Sequence, residues 1–161
     1  MENVYIGLGS NLADPSAQVT AGSAALAELP ATRLVACSRL YGSAPWGRSA
    51  QPEFVNAAAH LETALPPREL LDLLLAIERA AGRVRDGTRW GPRVLDLDIL
   101  VYGDRVLNES GLHVPHPHLH ERAFVLVPLA EIAPELDIPG HGNVSKLLAS
   151  VDVSSCVRMA E

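Results

Sequence analysis

The chain has 161 residues, 48% hydrophobic and 20% charged, which supports one folded domain over 1–161 and excludes wholesale disorder. Thirteen basic against nineteen acidic side chains give a net charge of −6, whereas a general nucleic-acid binder carries a basic face. No apolar run approaches the ~18 residues of a membrane helix, and Cys37 and Cys156 lie far apart. The opening residues MENVYIGLGS do not have the basic region before an apolar one that is typical of a secretory signal. We therefore expect a cytoplasmic protein that binds neither nucleic acid nor a membrane.

The first half of the chain predicts three strands and two helices. Asp14 and Pro15 form an N-cap followed by a first-turn proline, and Gly82 is typical of the residue after a helix end. Leu70 and Leu74 have the spacing of one helix face. The predicted elements are strands over 4–10, 32–41 and 54–63 and helices over 15–29 and 66–81, with a loop over 42–52.

The second half begins with an arginine-rich loop and continues into a fourth strand. A Gly103-Asp104 turn leads to a short strand, and a proline- and histidine-rich stretch extends to about His120. The predicted elements are strands over 94–102 and 105–107 and helices over 121–130 and near 144–149. The order strand–helix–strand–strand–helix–strand predicts a ferredoxin-like split β-α-β sandwich with a mostly antiparallel sheet.

Two acids alternate with apolar residues in the fourth strand. Period two places Asp96 and Asp98 on one face, with Cα atoms about 6.5 Å apart. Paired carboxylates repel each other unless a cation lies between them or water solvates them. The pattern predicts a Mg²⁺ site, with a solvated edge strand as the alternative. The residues predicted to share the opposite, core face are Leu95, Leu97, Ile99 and Val101.

Arginines precede this acid pair closely. Arg83, Arg85, Arg89 and Arg93 lie within eleven residues, and the guanidinium fork suits phosphate oxygens. Arginines beside metal-binding carboxylates are what neutralisation of a polyphosphate requires. The alternative is a solvated basic loop.

Four histidines fall within eight residues, at 113, 116, 118 and 120. A zinc site is one interpretation, although structural zinc usually recruits thiolates and no cysteine is near in sequence. His116 lies between Pro115 and Pro117, which restrain its backbone. This placement favours a phosphate contact by His116.

Aromatic residues suggest where a flat ring would bind. On the third strand, Phe54 and Asn56 face away from the core set Val55, Ala57, Ala59 and Leu61. They would stack on a planar ring and pair with its edge, or would simply pack under a helix. Trp90 lies in the arginine loop, where a purely structural tryptophan is unusual.

These segments together resemble a known family. The matching stretches are YIGLGSNL at 5–12, QPEFVNAA at 51–58, IE…GRVR across 77–85, RWGPRVLDLDIL at 89–100, VPHP at 114–117 and ERAFVLVPLAEIAPEL at 121–136. They resemble the 6-hydroxymethyl-7,8-dihydropterin pyrophosphokinases of folate biosynthesis, in the same order along nearly the whole chain. The resemblance implies transfer of the β,γ-diphosphate of ATP to the pterin hydroxyl with release of AMP. It also implies two Mg²⁺ ions and a three-layer αβα form of the ferredoxin-like fold.

The resemblance also implies residue roles. Asp96 and Asp98 would hold both Mg²⁺ ions, and Arg83 and Arg93 would act on the transferring diphosphate. The implied pterin residues are Gly9, Ser43, Ala44, Pro45, Trp46, Phe54, Asn56, Trp90 and Phe124. The implied ATP residues are Glu78, Arg83, Arg85, Arg89, Trp90, Arg93, Ile99, His113, His116 and Arg122. We expect a monomer whose partners are the two small-molecule substrates.

Two other functions fit parts of the pattern. Split β-α-β sandwiches include RNA-binding domains that stack bases on sheet aromatics, but aromatic content here is only 4%. A metal-dependent phosphohydrolase could use the same acids and arginines. Dependence of AMP formation on the pterin acceptor would distinguish the kinase from the hydrolase.

Overall fold

The computed structural model describes residues 1–12, 14–43, 54–82 and 94–159. The strands are β1 (Glu2–Ser10), β2 (Thr32–Cys37), β3 (Tyr41–Ser43), β4 (Phe54–Thr63), β5 (Asp96–Tyr102), β6 (Leu107–Glu109), β7 (Leu112–Val114), β8 (Asp137–Ile138), β9 (Gly142–Asn143) and β10 (Cys156–Arg158). The helices are α1 (Pro15–Ala27), α2 (Pro67–Ala80), α3 (Ala123–Ile132) and α4 (Val144–Ala149), with a 3₁₀ turn at Leu119–Glu121. None of these helices combines the length and apolarity needed to span a bilayer.

A central sheet joins six of these strands in the order β10-β3-β4-β1-β5, with β2 also pairing with β4. All of its described pairs are antiparallel. The strand pairs β6–β7 and β8–β9 form two small separate sheets. The mostly antiparallel sheet predicted from the sequence is therefore confirmed.

Helices cover both faces of the sheet. Val19 and Leu26 of α1, with Leu70 and Leu74 of α2, are buried in one core cluster. Leu129 of α3 and Val144 of α4 belong to a second cluster on the opposite face. We call these the α1/α2 face and the α3/α4 face. The three layers confirm the predicted αβα, ferredoxin-like fold class.

A bulge in β5 corrects the predicted core stripe. Ile6 of β1 pairs with Ile99, but Tyr5 pairs with Val101, so Leu100 is an extra residue. Leu95, Leu97 and Ile99 lie on the α1/α2 face as predicted. Beyond the bulge the faces exchange, and Val101 packs on the α3/α4 face. The prediction that Val101 shares the stripe was wrong because period two holds only while pairing is regular.

The predicted strand over 32–41 is two strands. The Ser38 side chain accepts a hydrogen bond from the Ala58 backbone N–H at 2.9 Å, and the Ser38 N–H donates to the Ala58 carbonyl at 2.8 Å. This side-chain bond interrupts the regular ladder between β2 and β3. The short strand predicted over 105–107 forms later, at Leu107–Glu109. Sequence reasoning did not predict β7, β8, β9 or β10.

Candidate functional site

Cross-strand register brings predicted site residues from three strands into neighbouring positions. Asn56 of β4 and Asp96 of β5 both pair with Gly9 of β1. We call Asn56, Gly9 and Asp96 the site row. Directly paired residues point to one face of a sheet, and the core residues between them occupy the α1/α2 face, so the site row lies on the α3/α4 face. With strands ~4.8 Å apart, Asn56 and Asp96 are about 10 Å apart across Gly9.

Two glycines of β1 let neighbouring side chains lie close to its backbone. A Cβ atom at Gly9 would come within 3.0 Å of the Asn56 Oδ1 atom. Gly7 lies in the next row, where it pairs with Asp98, and a Cβ atom there would come within 3.2 Å of the Leu100 side chain. The absence of a Cβ atom at these two positions therefore lets the Asn56 amide and the Leu100 side chain lie close to the backbone of β1.

The acid pair is held from the opposite face by a buried carboxylate. Glu78 of α2 is only 2% exposed, and its Oε2 atom accepts a hydrogen bond from the Leu97 backbone N–H at 2.7 Å. Leu97 is the residue between Asp96 and Asp98, so this bond anchors β5 where the two acids leave the strand. A direct contact between Glu78 and a nucleotide stays a prediction.

The acid pair is chemically suited to Mg²⁺. Asp96 is half-buried and Asp98 is exposed, and carboxylate oxygens are the donors this ion prefers. Among the described residues no three His, Cys, Asp or Glu side chains converge as a metal site. A cation on this pair would complete its shell with water or phosphate oxygens, as Mg²⁺ commonly does.

An open cavity of about 350 Å³ lies beside Asp98. Four residues predicted on the nucleotide side line it together with that acid. The lining includes Asp98, Ile99, His113, His116, His118 and Arg122. The structure thus brings the histidine-rich stretch to the acid pair, which sequence separation alone did not establish.

His116 is held as a neutral hydrogen-bond donor. Its Nδ1 atom accepts a hydrogen bond from the His118 backbone N–H at 3.3 Å, so the proton of the neutral ring is on Nε2. Burial, with the positive charge of Arg122 and the neighbouring histidines, lowers the pKa of His116 from 6.5 to about 4. At neutral pH the uncharged His116 ring can therefore offer an Nε2–H donor to the cavity.

The two phenylalanines lie on elements that pack together. Phe54 begins β4 on the same face as Asn56, and Phe124 is in the first turn of α3, which packs on β4. Both rings are half-buried. The Arg122 guanidinium carbon lies 5.6 Å from the centre of the Phe124 ring, in a cation–π contact.

Several predicted residues lie outside the described part of the chain. They are Ala44, Pro45, Trp46, Arg83, Arg85, Arg89, Trp90 and Arg93. Ser43, the last residue of β3, pairs with Phe54. The end of β3 therefore lies beside the start of β4.

Sequence reasoning missed Gly7 and Tyr41. Gly7 carries a signal in the G-x-G spacing with Gly9, which places both glycines on one strand face. Tyr41 pairs with Asn56 and so extends the site row onto β3. No sequence pattern gives that pairing, because it depends on where β3 resumes after Ser38.

A comparison with protein-family models gives the family. The model described as 7,8-dihydro-6-hydroxymethylpterin-pyrophosphokinase (HPPK) matches residues 5–134. The chain belongs to the HPPK family. The predicted family and the prediction of a pyrophosphokinase enzyme are confirmed, and the matched range includes every predicted site residue.

Curated HPPK relatives match over nearly their full length. A 2-amino-4-hydroxy-6-hydroxymethyldihydropteridine pyrophosphokinase of Pseudomonas aeruginosa is 51% identical over 159 residues, 99% of this chain and 98% of the relative. The enzyme of the same name from Methylorubrum extorquens is 46% identical over 159 residues, 99% of each chain.

Solved structures give the same fold at low sequence identity. The wild-type HPPK-DHPS of Plasmodium falciparum with SDX-DHP has a TM-score of 0.71 and 13% identity to this chain. The match covers 98% of this chain and 47% of the Plasmodium chain, so this chain spans less than half of that protein. At this identity the likeness supports the fold alone.

Replacing Glu78 tests the anchor behind the acid pair. Glu78→Ala leaves the Leu97 N–H buried without that acceptor, so we expect a loss of about 1–3 kcal/mol in the free energy of unfolding. Glu78→Gln keeps a carbonyl acceptor and should lose less. Urea denaturation measures both variants, and equal stability of Glu78→Ala and the original chain would contradict the anchor.

The lowered pKa of His116 predicts a pH dependence of stability. The folded-state pKa of about 4 lies below the unfolded value of 6.5, so the stabilisation is complete above pH 6.5 and is lost as the pH falls toward 4. His116→Asn should flatten this loss by at most about 3 kcal/mol. Urea denaturation at several pH values measures it, with exposed His141→Asn as control; equal slopes for His116→Asn and the original chain would refute the prediction.

Proposed function

We propose that the chain transfers the β,γ-diphosphate of ATP to the hydroxyl of 6-hydroxymethyl-7,8-dihydropterin, yielding the pterin diphosphate and AMP in folate biosynthesis. The hydroxyl oxygen bonds to the β-phosphorus, the bond from that phosphorus to the α-phosphate oxygen breaks, and the hydroxyl proton passes to solvent. One observation carries the proposal. In this member of the HPPK family, strand pairing aligns the Asn56 amide, Gly9 and the Asp96 carboxylate in one row.

The proposed pterin site lies at Asn56 and Gly9. Asn56 offers both a donor and an acceptor to the edge of a pterin ring, and Gly9 lets the Asn56 amide lie close to β1. Phe54 and Phe124 would stack on the two ring faces. The remaining proposed pterin residues are Ser43, Ala44, Pro45, Trp46 and Trp90.

The acid pair is the proposed holder of two Mg²⁺ ions. When bound, Mg²⁺ would neutralise phosphate charge and bring the phosphates close to the hydroxyl. The distance of about two strand spacings from Asn56 to Asp96 fits a bicyclic ring whose hydroxymethyl group points toward the acids. Asp96 and Asp98 thereby orient the reacting ends of both substrates.

The cavity beside Asp98 is the proposed ATP site. The Nε2–H group of His116 would donate to a phosphate oxygen, and the Arg122 guanidinium would add a charged donor. Glu78 would contribute by holding β5 in place. The remaining proposed ATP residues are Arg83, Arg85, Arg89, Trp90, Arg93, Ile99 and His113.

A single assay tests this function. The protein is incubated with ATP, Mg²⁺ and the pterin alcohol, and AMP and the pterin diphosphate are measured. We expect AMP to form only when the pterin alcohol is present. We also propose that the enzyme is a cytoplasmic monomer whose only partners are its two substrates. Loss of ATP without the acceptor would instead support a phosphohydrolase, and RNA binding at physiological salt would support a binding module.

Removing either acid should remove activity. Asp96→Ala and Asp98→Ala each eliminate half of the proposed metal site, worth several kcal/mol of charge stabilisation, so we expect turnover to fall by roughly 10³-fold or more. Initial rates at saturating ATP and pterin measure this effect. Asp104→Ala, at an exposed turn position, is the control, and near-original turnover of Asp96→Ala would show that the site is elsewhere.

The loop arginines should act on the transition state. Arg83→Ala and Arg93→Ala should lower kcat more than they raise the KM for ATP, because charge on the moving phosphates grows during transfer. Steady-state kinetics with ATP as the varied substrate separate the two effects. A change confined to the KM values would assign these arginines to ground-state binding instead.

A further inference from the structure

One carboxylate connects α3 to the strand beside the site row. The Tyr41 hydroxyl donates a hydrogen bond to the Glu131 Oε1 atom at 2.5 Å. The same carboxylate accepts from the Arg39 backbone N–H, at 3.2 and 3.1 Å to its two oxygens. Glu131 therefore holds both the start of β3 and the segment that leads into it.

The position of Glu131 in the helix favours a specific role. Glu131 is the penultimate residue of α3, where an acid opposes the helix dipole, and α3 has no basic residue in its last turn. An acid at this end has an unfavourable interaction with the helix unless it gains a partner. Here the partners are the two donors from β3 and its approach.

Tyr41 is buried and its hydroxyl stays protonated. Tyr41 is 8% exposed, and burial, followed by the bond to Glu131, raises its pKa to about 12. The phenol therefore keeps its proton and remains a donor across the working pH range. Hydrogen bonds to an ionised carboxylate are stronger than neutral ones.

Apolar side chains also join α3 to the sheet in the described part of the chain. Leu129 of α3 and Ala58 of β4 belong to the same cluster, and apolar contacts do not specify direction. The bonds to Glu131 add a directional constraint between this helix and the sheet. Phe124 lies at the other end of the same helix.

The C-terminal strand holds the other edge of β3. Arg158 and Cys156 of β10 pair with Tyr41 and Ser43, and the Met159 N–H donates to the Leu40 carbonyl at 2.9 Å. The three-residue strand β3 is thus paired on both sides. This support gives Tyr41 a fixed backbone from which to position α3.

We propose that Tyr41 and Glu131 are positioning residues for the pterin: their hydrogen bond places α3, and with it Phe124, over the site row. This inference rests on the function proposed above. Neither side chain needs to touch the substrate, and neither belongs to the proposed ATP or metal site. Because Arg122 at the start of the same helix lines the nucleotide cavity, we expect a large effect on the pterin and a smaller one on ATP.

Steady-state kinetics on the full chain test the inference. Tyr41→Phe keeps the ring and removes the hydroxyl, and we expect the KM for the pterin alcohol to rise about 5–30-fold. The KM for ATP should rise less than the KM for the pterin alcohol, because the bond itself lies outside the nucleotide cavity and α3 reaches that cavity only through Arg122. Glu131→Ala, at an exposed position, removes the acceptor and should act in the same direction, and the double variant should add little to Tyr41→Phe.

Tyr102→Phe is the matched control. The Tyr102 hydroxyl donates to the Leu65 carbonyl, and Tyr102 packs in the cluster of the α1/α2 face. This variant should lose stability and leave both KM values unchanged. If Tyr41→Phe fails to fold, Glu131→Ala carries the same test.

Three results would overturn the inference. A pterin KM within twofold of the original in an active Tyr41→Phe enzyme would show that the bond does not position the ring. Equal increases in both KM values would indicate a general structural role. No pterin-dependent AMP from the original chain would remove the proposed function itself, which distinguishes that failure from the other two.

Discussion

Antiparallel pairing across five strands places one residue from each in a single row: Arg158, Tyr41, Asn56, Gly9 and Asp96. A register slip of one residue would move a strand's whole set of side chains to the other face. The apolar residues between the row positions, such as Leu8, Val55 and Leu97, are buried on the α1/α2 face and prevent that slip. Apolar packing on the α1/α2 face thus determines which side chains lie together on the α3/α4 face.

Local charge, rather than the net charge, decides what this face can bind. The chain carries −6 overall, yet the cavity beside Asp98 contains Arg122 and three histidines. His116 is kept neutral there and presents an Nε2–H donor. Donors that converge in an acidic protein make this cavity suited to a phosphate, and we propose that the carboxylate pair beside them holds the cations of the reaction.

Sequence periodicity predicted the faces of β4 and the shared face of Asp96 and Asp98, because alternation is a local property of one strand. It could not predict the bulge at Leu100, which depends on how β1 pairs with β5. Tyr41 joined the row only through pairing after the Ser38 interruption, and the short exposed strand β10 has no apolar pattern to reveal it. Sequence motifs thus predicted the two acids and Asn56 as site residues. Only the strand pairing shows that Asn56 and Asp96 lie near each other.

A crystal structure with Mg²⁺, a non-hydrolysable ATP analogue and the pterin alcohol tests the central claim most directly. The account predicts the ring over Gly9 with its edge against the Asn56 amide, and Mg²⁺ and phosphates at Asp96 and Asp98. A ring bound away from the site row, or metal and phosphate remote from the two acids, would contradict it.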